Sequence, residues 1–297
     1  MVKRHRESIE VWTFFGLTFG MTWLAWALAG AVPEARDAPN PVRELLFLPG
    51  TVAPAVVAAW LTARRAGASG LRSLFGGIAK WRVGVQWYVF ALLFMAAVKL
   101  AAAATHVALT GQWPLFGDTP LIALLAATLV STWVQAGEEV GWRGYALPRL
   151  VPVFGLPGAS VVLGGMWALW HLPFFLMPGI ETSGQSFVLY AASVTALSVA
   201  FAWVYWGTGG SLLLVMLLHA AVNNSKYIVQ SGAVPSAHPF HVDAPLLTWI
   251  TAGLLWSIAA YLLMRMRTVR RLESPASFRG DAVAQPSSSR SDTLGSQ

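Results

Sequence analysis

Residues 137–143 read Gly-Glu-Glu-Val-Gly-Trp-Arg and place two adjacent glutamates in an otherwise apolar stretch. Glu139 and Arg143 are four residues apart, which on a helix puts them on one face and predicts an ion pair. Glu138 is turned by about 100° around the same helix and cannot share that arginine equally. We therefore predict that Glu138 is a general base and that Glu139 and Arg143 support the helix. The alternative is a structural ion cluster that holds helices in register.

Further polar residues lie in apolar stretches downstream. His171 follows Trp167 by one helical turn, and a lone histidine on such a helix is usually a packing residue. His219 and Asn223 are again four residues apart, so they project from one face. The alternative for this pair is a hydrogen bond that joins neighbouring helices. Ionisable residues cost about 2.5 to 3.5 kcal/mol each in hydrocarbon on insertion scales, so they are seldom without a role.

One carboxylate, two imidazoles and one amide supply the groups needed for hydrolysis. Glu138 can take a proton from water, His171 and His219 can position the water or bind a metal, and an amide can donate to an oxyanion. Glu138, His171 and His219 also match the two-histidine, one-carboxylate ligand set of catalytic zinc sites, so zinc is an alternative cofactor. The spacing is not that of a zincin, and the chain lacks both Gly-x-Ser-x-Gly and paired aspartates typical of serine and aspartyl intramembrane proteases.

The composition requires a membrane as solvent. The 297 residues are 56% hydrophobic and only 11% charged, with a mean hydropathy of +0.58, which excludes an ordinary soluble domain. The absence of cysteine excludes a disulfide framework, a thiol nucleophile and a cysteine-ligated metal. The net charge of +7 comes from basic residues at the ends of apolar segments, so we interpret it as a topology signal and predict no nucleic-acid partner.

A transmembrane helix needs about 20 mostly apolar residues. The sequence predicts an all-α polytopic protein with eight such spans, at approximately 9–31, 44–63, 84–108, 120–146, 158–178, 186–206, 211–231 and 246–264. Basic residues precede the first span and follow the second, fourth and eighth spans, so both termini are predicted to be cytoplasmic. Of the acidic residues, only Glu138 and Glu139 fall well inside a predicted span.

The predicted domain organisation is simple. Residues 1–272 form the transmembrane domain, with a protease-like core at about 120–230, and the first span is an uncleaved anchor. Residues 273–297 lose apolar periodicity and are rich in serine, aspartate and arginine, which predicts a disordered cytoplasmic tail.

The motifs resemble those of the CPBP family, the CAAX proteases and bacteriocin-processing enzymes, also called Abi proteins. The family's Glu-Glu-x-x-x-Arg motif matches residues 138–143, its Phe-x-x-x-His motif falls on 167–171, and its His-x-x-x-Asn/Asp motif falls on 219–223. All three occur in the family's order on separate helices. Trp167 in place of phenylalanine is a departure that keeps an aromatic packing residue.

The resemblance implies an eight-helix intramembrane endopeptidase, similar to the type II CAAX prenyl endopeptidases, with a cavity open to the cytoplasm. It further implies that Glu138 activates water with His171, that His219 and Asn223 hold the oxyanion, and that Glu139, Arg143 and Trp167 give structural support. Whether catalysis depends on the glutamate alone or on a metal such as zinc is left open. The expected partners are the lipid bilayer and a membrane-associated protein or peptide substrate, in the cell membrane of a bacterium.

Two other functions are compatible with the same residues. A proton-coupled transporter would use Glu138, His171 and His219 as a relay, and it would need a water path to both faces of the membrane. A catalytically silent membrane scaffold would need none of them.

Overall fold

The protein folds as a bundle of helices in the computed structural model, which describes residues 2–33, 40–177, 182, 185–230, 232 and 238–268. The predicted tail at 273–297 lies outside the described residues. The α-helices in chain order are α1 Val2–Ala31, α2 Pro41–Gly76, α3 Val85–Thr110, α4 Leu121–Thr132, α5 Ala136–Glu139, α6 Leu147–Trp170, α7 Leu172–Leu176, α8 Phe187–Gly207, α9 Leu212–Asn224 and α10 Leu246–Thr268. A π-helical segment, Val140–Ala146, joins α5 to α6.

The all-α, polytopic membrane character predicted from the sequence is confirmed. Within the described residues, six helical stretches are long and apolar enough to cross a membrane. One of them, Leu121–Leu176, runs for 56 residues and covers nearly all of the fourth and fifth predicted spans. The count of eight spans and the cytoplasmic side of the termini stay predictions.

Two of the long helices are broken at a glycine with a left-handed backbone. Gly67 in α2 has a φ of 56° and Gly155 in α6 has a φ of 68°. Such values strain any residue with a Cβ atom, so glycine is the natural residue at a sharp change of helix direction. The break at Gly155 falls between the fourth and fifth predicted spans, and the break at Gly67 follows the second.

The seventh predicted span, 211–231, was wrong at its carboxyl end. The helix begins after Ser211, whose side chain caps Leu214, and α9 has only 13 residues. At 1.5 Å per residue it is about 20 Å long, short of the roughly 30 Å of a bilayer core. A run of polar residues ends it, and the chain then becomes extended, so that Val229 pairs with Phe116.

Residues that flank three predicted spans meet in one ionic cluster. Glu10, near the start of the first span, pairs with Arg65, which follows the second span. Arg149, which follows the fourth, lies with its Nε 3.6 Å from the same Glu10 carboxylate. These three sequence positions therefore lie at one end of the bundle, as expected if successive spans cross the membrane in opposite directions.

Close helix packing places the polar residues of the core. α1 packs along α2, and α6 packs along α8. Gly164 allows the second contact, because a Cβ atom there would lie 2.7 Å from the Cα of Thr195. One turn after this contact, the ring of Trp167 meets that of Phe201 with 5.4 Å between centroids. The tight α6–α8 contact thus fixes the position of Trp167.

Candidate active site

The two glutamates end α5 and directly precede the π-helical segment. Single π turns occur often at functional sites, because the extra residue per turn widens the helix and re-aims side chains. Gly141 in this segment lies against α2, where an added Cβ would be 2.6 Å from the carbonyl oxygen of Pro54. The absence of a side chain at Gly141 therefore lets the glutamate segment lie directly on α2.

Glu139 and Arg143 form the ion pair that their spacing predicts. The Nη1 of Arg143 donates to both carboxylate oxygens of Glu139, at 2.9 and 3.1 Å, and both side chains are fully buried. The guanidinium carbon lies 4.4 Å from the ring centroid of Trp167 and 4.6 Å from that of Phe201. The two aromatic faces stabilise the charge that the carboxylate does not cover.

Glu138 has different partners. Its Oε2 accepts a hydrogen bond from the indole N–H of Trp167 at 2.7 Å and a longer one from the indole N–H of Trp142 at 3.4 Å. The residue is 8% exposed, compared with 0% for Glu139. The two adjacent acids thus differ in environment, because Glu139 is held by the cation Arg143 and Glu138 by neutral donors.

His219 approaches the second glutamate and not the first. Its Nδ1 lies 2.8 Å from Oε1 of Glu139, and the ring is buried. The sequence groups His219 with Glu138 and His171 as possible metal ligands, whereas the hydrogen bond of His219 in the structure is to Glu139. The reason is the rotation of α9 about its own axis, which spacing within one helix does not determine.

His171 lies at the end of α6, where its Nδ1 is 2.9 Å from the backbone carbonyl oxygen of Trp167. A carbonyl can only accept, so the proton is on Nδ1 and the lone pair of the neutral ring is on Nε2. The ring of Tyr190 contacts the imidazole with 5.5 Å between centroids. The imidazole also lies against the ring of Trp167, with 6.0 Å between centroids.

Asn223 and its neighbour have different surroundings. Asn223 is exposed, and its side chain makes no hydrogen bond to any other residue that the structure describes. Asn224 is partly buried and donates to the hydroxyl of Ser131 at 3.1 Å and to the carbonyl of Ala220 at 2.9 Å. Asn224 therefore joins α9 to α4, whereas the amide of Asn223 is available to a ligand.

A cavity of about 580 Å³ adjoins this cluster. Tyr190 belongs to its wall and also contacts the ring of His171. Its lining mixes apolar, hydroxyl and charged side chains from α3, α8 and α10, among them Met95, Lys99, Leu189, Ser193, Thr248 and Thr251. An amphiphilic molecule fits such a lining better than a purely apolar one.

The chain is similar to known proteases in sequence. The model of the Rce1-like type II CAAX prenyl endopeptidase family matches residues 118–225. CAAX prenyl protease 2 of Methanococcus maripaludis is 24% identical over 230 residues, which cover 73% of this chain and 83% of that protein. The chain is therefore similar to the CAAX proteases, over residues 118–225 by the family model and over 230 residues by this relative. It is a peptide hydrolase embedded in a membrane, and neither a transporter nor a silent scaffold is favoured.

In this protease, the region that the family model matches contains all three polar helices of the cluster. Residues 118–225 include the glutamate segment, His171 and the His219–Asn223 pair. The ion pair of Glu139 lies within this region, whereas the cavity beside Tyr190 is lined both by α8 residues of it and by α3 and α10 residues outside it. The glutamate and histidine cluster therefore lies in the part of the chain that the family model matches.

Two imidazole nitrogens of this protease have free lone pairs that could bind a zinc ion. His171 and His219 each use Nδ1 in a hydrogen bond, which leaves Nε2 for a ligand. In the part of the chain that the structure describes, however, no three His, Asp or Glu side chains lie close enough together to hold a metal ion. The predicted zinc ligands Glu138, His171 and His219 therefore do not form a three-ligand site in this arrangement.

The sequence analysis missed the indole donors of the protease. Trp142 was given no role, and Trp167 was given only a packing role. The sequence contained a signal for both tryptophans. A buried indole N–H needs a hydrogen-bond acceptor, and a transmembrane helix offers few acceptors other than carboxylates. Trp142 also follows Glu138 by four residues, which puts the two on one face.

Proposed function

We propose that the protein hydrolyses a peptide bond of a membrane-associated protein or peptide, with Glu138 as the general base. One observation carries the proposal, namely the different partners of the two adjacent carboxylates. Glu139 is bound by Arg143 and His219, whereas Glu138 accepts hydrogen bonds from neutral indoles. A carboxylate not neutralised by a cation can accept a proton from water in the transition state.

The proposed reaction has no covalent enzyme intermediate. Glu138 takes a proton from a water molecule while the water oxygen adds to the scissile carbonyl carbon. The lone pair on Nε2 of His171 accepts the second O–H of that water and orients it. The protonated Glu138 then gives its proton to the leaving nitrogen as the C–N bond breaks, which restores the carboxylate.

Charge balance supports a role for His219 at the oxyanion. Glu138, Glu139 and Arg143 together carry one net negative charge, and a buried cluster is most stable near neutrality. A doubly protonated His219 would supply the missing positive charge, with its Nδ1–H donating to Glu139 and its Nε2–H left as a further donor. This N–H and the exposed amide of Asn223 would stabilise the negative oxygen of the tetrahedral intermediate.

The substrate is proposed to enter the cavity beside Tyr190. Its mixed lining suits a peptide segment with apolar side chains and a polar backbone. The relative from Methanococcus maripaludis is named a CAAX prenyl protease, and for this chain we propose the wider class of membrane-associated proteins and peptides. The proposed location is the cell membrane of a bacterium, with the termini on the cytoplasmic side.

The test compares membrane peptides from cells that produce wild type, Glu138→Gln or His106→Ala protein at equal levels. His106 lies near the end of α3 and contacts the carbonyl of Gln112, away from the glutamates. We expect cleavage products with wild type and His106→Ala, and none with Glu138→Gln. The purified protein in lipid vesicles is then given the peptides so identified, and a prenylated peptide in parallel. Equal cleavage by Glu138→Gln would overturn the proposal.

A further inference from the structure

Trp167 contacts four of the polar residues at the site. Its indole N–H donates to Oε2 of Glu138 at 2.7 Å, and its backbone carbonyl accepts from Nδ1 of His171. The guanidinium of Arg143 stacks on its ring, and the ring of His219 meets it nearly edge-on, at 5.3 Å and 80°. We propose that Trp167 is a positioning residue that orients the base and the water-binding imidazole together. This inference rests on the proposed function.

The indole selects which oxygen of Glu138 reacts. Both indole donors point at Oε2, with Trp167 0.7 Å closer than Trp142. Two donors on one oxygen fix the rotation of the carboxylate and leave Oε1 to accept the proton from water. A hydrogen bond to an ionised acceptor is stronger than one between neutral groups, so the orientation is well held.

The indole itself has little freedom to move. Trp167 is only 3% exposed, and it follows the close contact of Gly164 with Thr195 by one turn. A buried N–H without an acceptor is costly, so Trp167 and Glu138 hold each other in place. Packing fixes the helix backbone at Trp167, and the indole of Trp167 in turn aligns the carboxylate of Glu138.

The backbone of the same residue aligns the imidazole. The carbonyl of Trp167 holds the proton of His171 on Nδ1, so that Nε2 carries the lone pair. The side chain and the carbonyl of one residue thus set the reactive atoms of both groups. A shift of Trp167 would misplace the base and the imidazole at once, which is the kind of displacement that costs rate without weakening substrate binding.

The experiment removes the indole N–H and keeps an aromatic ring. For Trp167→Phe in lipid vesicles we expect kcat to fall by about 10- to 100-fold, the range of a hydrogen bond to a charged group, with KM within about twofold of wild type. The matched control is Trp26→Phe, which loses an equally buried indole hydrogen bond, to the carbonyl of Phe47 at 3.2 Å. We expect Trp26→Phe to keep kcat within about threefold while losing similar thermal stability.

A spectroscopic measurement covers the case in which Trp167→Phe folds poorly. The indole N–H resonance of Trp167, assigned as the signal missing from Trp167→Phe or by selective labelling, should move strongly in Glu138→Gln and little in His106→Ala. A wild-type kcat in Trp167→Phe, or an indole signal insensitive to Glu138→Gln, contradicts the positioning role. If Glu138→Gln is itself active, the proposed base fails instead, so the two failures are distinguishable.

Discussion

His219 on α9 and Glu139 at the end of α5 are 80 residues apart in sequence and joined by a hydrogen bond of 2.8 Å. The same carboxylate oxygen accepts from Arg143 at 2.9 Å. Glu139 therefore links two helices and an arginine, while its neighbour Glu138 keeps neutral partners. Two acids of identical chemistry therefore have different surroundings, because Glu139 faces a guanidinium and an imidazole and Glu138 faces two indoles.

The first prediction compares the loss of stability when each glutamate is replaced by glutamine. Glu139→Gln leaves Arg143 buried without its carboxylate and should lower the free energy of unfolding by about 3 to 5 kcal/mol, the usual cost of breaking a buried pair. Glu138→Gln keeps a side chain that can accept from Trp167 and should cost less than about 1.5 kcal/mol. Thermal unfolding in detergent measures both. Equal losses would mean that Glu138 also belongs to the ion cluster.

The second prediction concerns the two adjacent asparagines of α9. Asn223→Ala should lower kcat by about 10- to 1000-fold if the amide stabilises an oxyanion, with little change in melting temperature. Asn224→Ala should lower stability by about 1 to 2 kcal/mol, because it loses the hydrogen bonds to Ser131 and Ala220, and should keep most of kcat in the protein that remains folded. The reverse pattern would assign the oxyanion role to Asn224.

The third prediction tests the contact between the π-helical segment and α2. Gly141→Ala puts a methyl group within 2.6 Å of the Pro54 backbone and should cost about 1 to 3 kcal/mol, with a loss of activity as Glu138 is displaced. The control is Gly165→Ala, where an added Cβ meets nothing within 4 Å. Its stability should be unchanged or slightly higher, since alanine favours helix. Peptide cleavage and thermal unfolding are measured on both variants.

The fourth prediction tests the cavity as the substrate site. Ser193→Phe fills part of it and should raise KM at least about tenfold, because a ring takes space that the peptide needs. Val188→Phe on the same helix is the control, since Val188 is exposed and does not line the cavity. Steady-state kinetics in vesicles measures KM for both variants. An unchanged KM in Ser193→Phe would place substrate binding elsewhere.

The fifth prediction concerns metal removal. Because the described donors do not gather into a three-ligand site, activity should survive dialysis against a strong chelator, with kcat within about twofold of the untreated protein. Metal content is measured by mass spectrometry on the same samples. Loss of activity that added zinc restores would support the ligand set Glu138, His171 and His219 instead.

The sequence alone determined what depends on composition and on neighbours within one helix. The hydrophobic fraction fixed the membrane as solvent, and the four-residue spacing placed Arg143 on the face of Glu139. Both follow from local physics, since helix periodicity sets which side chains of one helix meet. The cost of charge in hydrocarbon also reduced the acidic candidates to Glu138 and Glu139.

Only the tertiary structure decided which helices supply the partners of each glutamate. The bonds from Trp167 to Glu138 and from His219 to Glu139 span 29 and 80 residues. They depend on how α6 and α9 are rotated and how closely glycines let helices approach, and no spacing within one segment encodes either quantity. The end of α9 at Asn224 was decided in the same way, since the chain beyond it pairs with Phe116. Single-helix patterns therefore identified the reactive groups, and packing between helices assigned their tasks.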